Sequence, residues 1–283
     1  KEAERRAEEL KRGPPHRAVQ RMHDWPVRVP DDQAKESERV RTMAEAMVDG
    51  LALRPAQSAA FLVFGPRETR VNALRALELD DLHASFAKFL GTESRVNIFQ
   101  GVAVVILLPD YATMRLLAAE QFQFAVGEGV NAILFYQGDT PIILGVESSD
   151  HTAVAREAAL AILHAHYSAR GLELWFEAGL SECVANKMMP SSAIDSERRG
   201  RGLAAIRNAP ATAQLEDFSP RGLGRDLSYL FVTRLIETKP VAVSRLIHRV
   251  KSGMPFNEAF TKSIGMSPVA YVANCTKWFT LND

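Results

Sequence analysis

The sequence Asp150-His-Thr-Ala-Val-Ala-Arg-Glu-Ala-Ala-Leu-Ala-Ile-Leu-His-Ala-His-Tyr167, followed by Leu174-Trp-Phe-Glu-Ala-Gly-Leu-Ser-Glu-Cys-Val-Ala185, predicts two helices joined by a short Gly-containing turn. Two helices so closely linked pack side by side. Leu160, Ile162, Leu163, Trp175, Leu180 and Val184 are the residues expected to hold them together and against a sheet.

Upstream of this pair the pattern alternates. Val40, Met43, Met47 and Leu51 recur every three or four residues, as on an amphipathic helix. Ala59-Ala-Phe-Leu-Val-Phe64 predicts a short buried strand, and Glu68 to Leu90 a helix closed by Gly91. Val102-Ala-Val-Val-Ile-Leu-Leu108 is a continuous, β-branched apolar run, the mark of a central strand. A helix after Pro109-Asp110 follows, then a hairpin of Val130–Tyr136 and Ile142–Val146 around Gln137-Gly-Asp-Thr-Pro141. Downstream, helices are expected at Leu227–Glu237, Val241–Lys251, Pro255–Ser263 and Pro268–Phe279. Met188 to Leu223, with three prolines and more arginines than acids, reads as a long irregular segment. The fold class is therefore α+β: a mixed β-sheet with packed helices, then an all-helical C-terminal subdomain. Residues 1–32 form a charged helix and linker, 33–150 the α/β sheet subdomain, and 151–283 the helical subdomain.

Composition narrows the function. With 47% hydrophobic residues, the 283-residue chain can bury a proper core. Lys plus Arg and Asp plus Glu balance at 34 each, so no bulk charge directs it to nucleic acid. No apolar run reaches the roughly 18 residues of a membrane span. Two cysteines, Cys183 and Cys275, are too few for a disulfide scaffold or a cysteine-based zinc cluster, and leave either two buried thiols or one disulfide. The chain begins at Lys1, so a targeting segment is out of view and an extracytoplasmic location stays open. No dinucleotide-binding glycine pattern, phosphate loop or nucleophile elbow is present. Arg221-Gly-Leu-Gly-Arg225 imitates a phosphate loop but lacks the strand that must precede it.

Trp175-Phe-Glu-Ala-Gly-Leu-Ser-Glu-Cys-Val-Ala185 resembles the second zinc-binding motif of the gluzincin metallopeptidases, Trp-x-x-Glu-Gly-x-Ala, with Trp175, Gly179 and Leu180 in register. Ala155-Arg156-Glu157-Ala-Ala-Leu160 then stands where the first motif, His-Glu-x-x-His, belongs. The order and spacing of elements from about 100 to 279 are similar to those of the peptidase MA-like family, which implies a thermolysin-like topology. In that family two histidines one turn apart and a glutamate from the next helix hold zinc, and the glutamate beside the first histidine is the general base.

This chain departs from the pattern at each ligand. Arg156 replaces the first histidine, Leu160 the second and Ala178 the glutamate; only Glu157, at the general-base position, matches. The resemblance thus implies a degenerate member without metal or other cofactor. Such a pseudopeptidase acts through binding a protein partner, with Ile142–Val146 as the edge strand of its cleft, or as a structural subunit of a larger complex. Two local expectations accompany it. Arg156 fills the vacated place with its own charge and pairs with Glu182 or Glu177. Alternatively, an active hydrolase uses a rearranged site around Glu157 and His164; His166 points to another side of the helix and cannot join His164 on one ion.

Overall fold

The apolar run at 102–108 forms the middle strand, β3 (Ala103–Leu108), buried along its whole length. The structure is a computed structural model describing residues 30–89, 98–99, 101–147, 151–167, 172–188, 192–208 and 222–282. The charged helix and linker expected at the start of the chain lie, over residues 1–29, outside these. The chain folds as two compact units, one spanning Lys1–Glu78 and Phe99–Ser149, the other Leu79–Ile98 and Asp150–Asp283.

The first unit is built on a mixed five-stranded sheet. Helix α1 (Pro30–Met47) leads to β1 (Arg54–Gln57) and β2 (Phe61–Gly65), and α2 (Thr69–Phe89) begins here and ends in the second unit. After β3 come α3 (Tyr111–Phe122), β4 (Ala132–Gln137) and β5 (Thr140–Val146). The strand order is β1-β2-β3-β5-β4, with β2, β3 and β5 parallel and both outer strands antiparallel to their neighbours. On one face Leu62, Phe64, Val104, Ile106, Leu108, Ile142 and Leu144 pack with Val40, Ala44 and Met47 of α1 and Met114, Leu117 and Ala118 of α3. Alternation along the strands, period two, places these side chains on that face.

Three local devices fix this unit. Gly138, with φ 61°, opens the two-residue loop between Gln137 and Thr140, the backbone a type II′ hairpin turn requires. Asp110 caps α3, its carboxylate accepting from the Thr113 N–H at 2.8 Å and the Thr113 hydroxyl at 2.9 Å. Glu147, just past β5, accepts from the Arg75 guanidinium at 3.0 and 2.6 Å and pairs with Arg67 at 3.3 Å.

One expectation is corrected and one strand is added. Ile142–Val146 is not an edge: β5 lies between β3 and β4, and the sheet's edges are β1 and β4. The hairpin folds its first strand outward because β5, not β4, pairs in parallel with β3. The short β1, with Pro55 inside it, carries too little apolar pattern to announce itself and becomes a strand only by pairing with β2.

The second unit is helical. It contains α4 (Thr152–Tyr167), α5 (Leu174–Met188), α6 (Ser192–Asn208), α7 (Gly222–Thr238), α8 (Pro240–Lys251), α9 (Phe256–Ile264) and α10 (Pro268–Asn282). The segment 188–223, expected to be irregular, holds helix α6, and α7 starts at Gly222 rather than Leu227. Pro240 and Pro268 each open a helix at its first position, where the missing N–H costs nothing. Helix α5 packs most extensively on α7, and Gly179 is the reason they come so close. A Cβ there would lie 2.4 Å from the Ser228 carbonyl oxygen and 2.6 Å from Val232 Cγ2. Tyr271 ties α10 to α7 by donating to the Phe231 carbonyl at 2.9 Å. The result is an α+β protein, mostly helical, with ten helices among the described residues. None of them is long and apolar enough to cross a membrane.

Candidate functional site

Small residues let α4 and α5 approach. Ala155, Ala158, Ala159 and Ala161 are buried on α4 beside Val154, Ile162 and Leu163; Trp175, Phe176, Leu180 and Ala185 are buried on α5. Trp175 meets Phe176 edge-on at 5.7 Å and Phe256 of α9 at 6.2 Å, an aromatic cluster that sets the start of α5. An α-helix places residues four apart on one face, so Arg156, Leu160 and His164 share a side of α4 and Ala178 and Glu182 a side of α5.

At the centre is Glu182, whose side chain is 0% exposed. Arg156 donates from Nη1 to Glu182 Oε1 at 3.3 Å, and from Nε and Nη2 to Glu157 Oε1 at 2.9 and 2.7 Å. Arg198 of α6 brings Nη1 to 2.6 Å from Glu182 Oε2, a close ion pair whose N–H is not aligned as a hydrogen bond. Arg225 of α7 lies 3.7 Å from Glu182 Oε1. Three guanidiniums from three helices therefore converge on one buried carboxylate of a fourth.

The charges respond to this packing. Burial opposes the Arg156 charge, but Glu157 and Glu182 outweigh it, and its pKa stands above the ordinary arginine value. For Arg225 the balance is reversed. Burial first, then the neighbouring Arg156, push its pKa down to about 10 against the pull of Glu182 and Glu157.

The expected site residues are thus partly brought together. Arg156 meets Glu182 and Glu157, as an ion-pair centre. Glu177 does not join them: it faces His164, with Oε2 3.8 Å from Nε2, and both side chains are buried. Leu160 and Ala178 are half-buried and offer no donor atoms. The side chain of His166 lies outside the described residues. Among the described residues no three His, Cys, Asp or Glu side chains are grouped so as to hold a metal ion. The two cysteines are not joined in a disulfide; Cys183 Sγ sits 2.9 Å from Thr233 Oγ1, and Cys275 is buried.

Arg198 and Arg225 were not expected here. Their only sequence signal was the excess of arginine over acid between 188 and 225. Arg225, in the segment that imitates a phosphate loop, lies instead in the first turn of α7. Compared with known proteins, the chain matches no protein-family model, and no characterised protein is significantly similar to it.

Proposed function

We propose that this chain is a pseudopeptidase: a gluzincin-like scaffold of thermolysin-like topology that works by binding a protein partner or as a structural subunit, not by metal-dependent hydrolysis. The observation that supports this reading is the fixed cation at Arg156. A guanidinium occupies the position matching the first zinc ligand and is held by Glu157 and Glu182. A divalent ion brought there would meet that positive charge, while Leu160 and Ala178 would give it nothing to bind. Glu157, the match to the general base, spends Oε1 on Arg156.

The sheet supplies a surface for the binding form of this reading. An extended peptide adds to an edge strand through its main chain and needs no metal, and the antiparallel edge strand β4 takes the part first expected of β5. The alternative, a hydrolase rearranged around Glu157 and His164, draws on the buried approach of His164 to Glu177. It requires Glu157 to release Arg156 before it can act as a base.

Metal analysis of the purified, untagged chain, with a peptide-hydrolysis assay beside it, tests the proposal. Sub-stoichiometric zinc and no turnover are expected. Stoichiometric zinc that disappears in His164→Ala or Glu157→Ala overturns it in favour of the hydrolase. A pull-down comparing the intact chain with one lacking residues 1–32 separates a partner held by the folded units from one held by the N-terminal segment.

A further inference from the structure

Helix α6 is attached in a different way from its neighbours. Among its described side chains, 196–208, only Gly202 and Ile206 are buried. Two further anchors are ionic. Arg198 reaches Glu182 of α5, and Arg201 donates from Nε and Nη2 to the two carboxylate oxygens of Asp226 on α7, at 2.7 and 3.1 Å. Asp226 is buried, but the Arg201 side chain is 47% exposed, so this pair is open to screening by salt.

We propose that α6 is an ionically latched lid, able to lift from α7, α10 and the Glu182 side of α5 as one helix while the rest of the second unit stays folded, uncovering the carboxylate centre at Glu182. Such a motion is normally opposed by stranding a buried charge. Here Glu182 keeps Arg156 and Arg225 when Arg198 leaves, so its charge remains compensated. Asp226 and Arg201 return to water together. Asn186, one turn beyond Glu182 on α5, is 8% exposed, and neither of its side-chain amide atoms has a hydrogen-bond partner in the closed arrangement. Water admitted by opening would hydrate that amide, which offsets part of the cost of separating the helices. The lid gates the polar centre whatever that centre binds, and the proposal does not depend on the pseudopeptidase reading.

Hydrogen exchange of the full chain, resolved by mass spectrometry at low and high salt, tests it. Peptides from 196–208 are expected to lose protection as salt rises while α5 and α7 keep theirs. Arg198→Gln and Arg201→Gln should each raise α6 exchange on the order of fivefold. Gly202→Ala gives a second handle that changes no charge: its Cβ would lie 2.5 Å from Leu230 Cδ1, 3.1 Å from Leu230 Cγ and 3.2 Å from the Asp226 carbonyl oxygen, crowding the α6–α7 contact. Exchange of α6 in step with α5 and α7 under every condition overturns the proposal, as does a Gly202→Ala variant that loosens the whole unit together.

Discussion

Arg156 and Glu182, 26 residues apart on two helices, meet with Nη1 3.3 Å from Oε1 in an interior where Glu182 has no exposure at all. The pair is asymmetric. Removing Glu182 takes the shared anion from three guanidiniums, whereas removing Arg156 leaves Glu182 with Arg198 and Arg225. Glu182→Leu is therefore expected to destabilise the protein by about 3–5 kcal/mol, the range for breaking a buried ion pair from one side. Arg156→Leu should cost less. Urea unfolding of both variants decides it; equal losses would mean that Arg198 and Arg225 do not support Glu182.

If α4 and α5 keep the frame of a zinc site, restoring the donors should restore the metal. The triple variant Arg156→His, Leu160→His, Ala178→Glu is expected to take up close to one zinc per chain where the unsubstituted protein takes none, with its helical content unchanged by circular dichroism. A folded triple variant that stays zinc-free would sink the gluzincin reading.

Gly179 leaves no room for a side chain against Ser228 and Val232. Because the nearest atom is a backbone oxygen, the two helices must part for any Cβ to fit. Gly179→Ala should cost about 1–3 kcal/mol, the scale of overpacking, although alanine has the better helix propensity. Thermal unfolding would show it as a lowered Tm; a raised Tm would mean that α5 and α7 are not locked at this contact.

Asp110 gives a pH dependence with a definite sign. The Thr113 N–H and hydroxyl hold its carboxyl below the ordinary value of 3.8. A depressed folded pKa contributes stability that is fully present above the unfolded value and is lost as pH falls through the folded one. The difference in Tm between the unsubstituted chain and Asp110→Ala should therefore shrink on acidification below about pH 4. A gap that stays constant to low pH would assign the cap's effect to something other than its charge.

The cysteines make a further contrast. Burial raises the pKa of the Cys275 thiol, outweighing Tyr271 and Arg234, which act to lower it. Since the thiolate is the reactive form, Cys275 should resist alkylation in the folded protein and react on unfolding, the slower of the two thiols. Mass spectrometry after timed iodoacetamide labelling measures both; a fast Cys275 would show that α10 opens locally.

The elements legible in the sequence were those with a strong apolar pattern, either a continuous run or a helical period. The run at 102–108, the hairpin around Gly138 and the two helices of 150–185 each carry one. Helix α6 does not. Its attachment lies in Arg198, Arg201, Ile206 and a glycine, and a glycine that permits close approach looks, in a sequence, like one that breaks a helix. The mistaken edge at Ile142–Val146 has another cause. The hairpin was readable, but which of its strands joins β3 is a long-range choice that no local pattern records. At the centre, the resemblance set Arg156 and Ala178 at ligand positions of one site, and the single turn from Ala178 to Glu182 then implied the pair. It could not foresee Arg198 and Arg225, which arrive from helices whose docking is tertiary.

Glu182 also bears on how the helical unit assembles. A carboxylate cannot leave water ahead of the cations that will receive it, and those come from other helices than its own. Its burial therefore belongs late on the folding path, after α4 and α7 have found α5. Glu182→Gln should accelerate unfolding while leaving the refolding rate nearly untouched, the signature of a contact absent from the transition state. Stopped-flow refolding and unfolding arms would reveal it, and a slowed refolding arm would move this carboxylate into the nucleus instead.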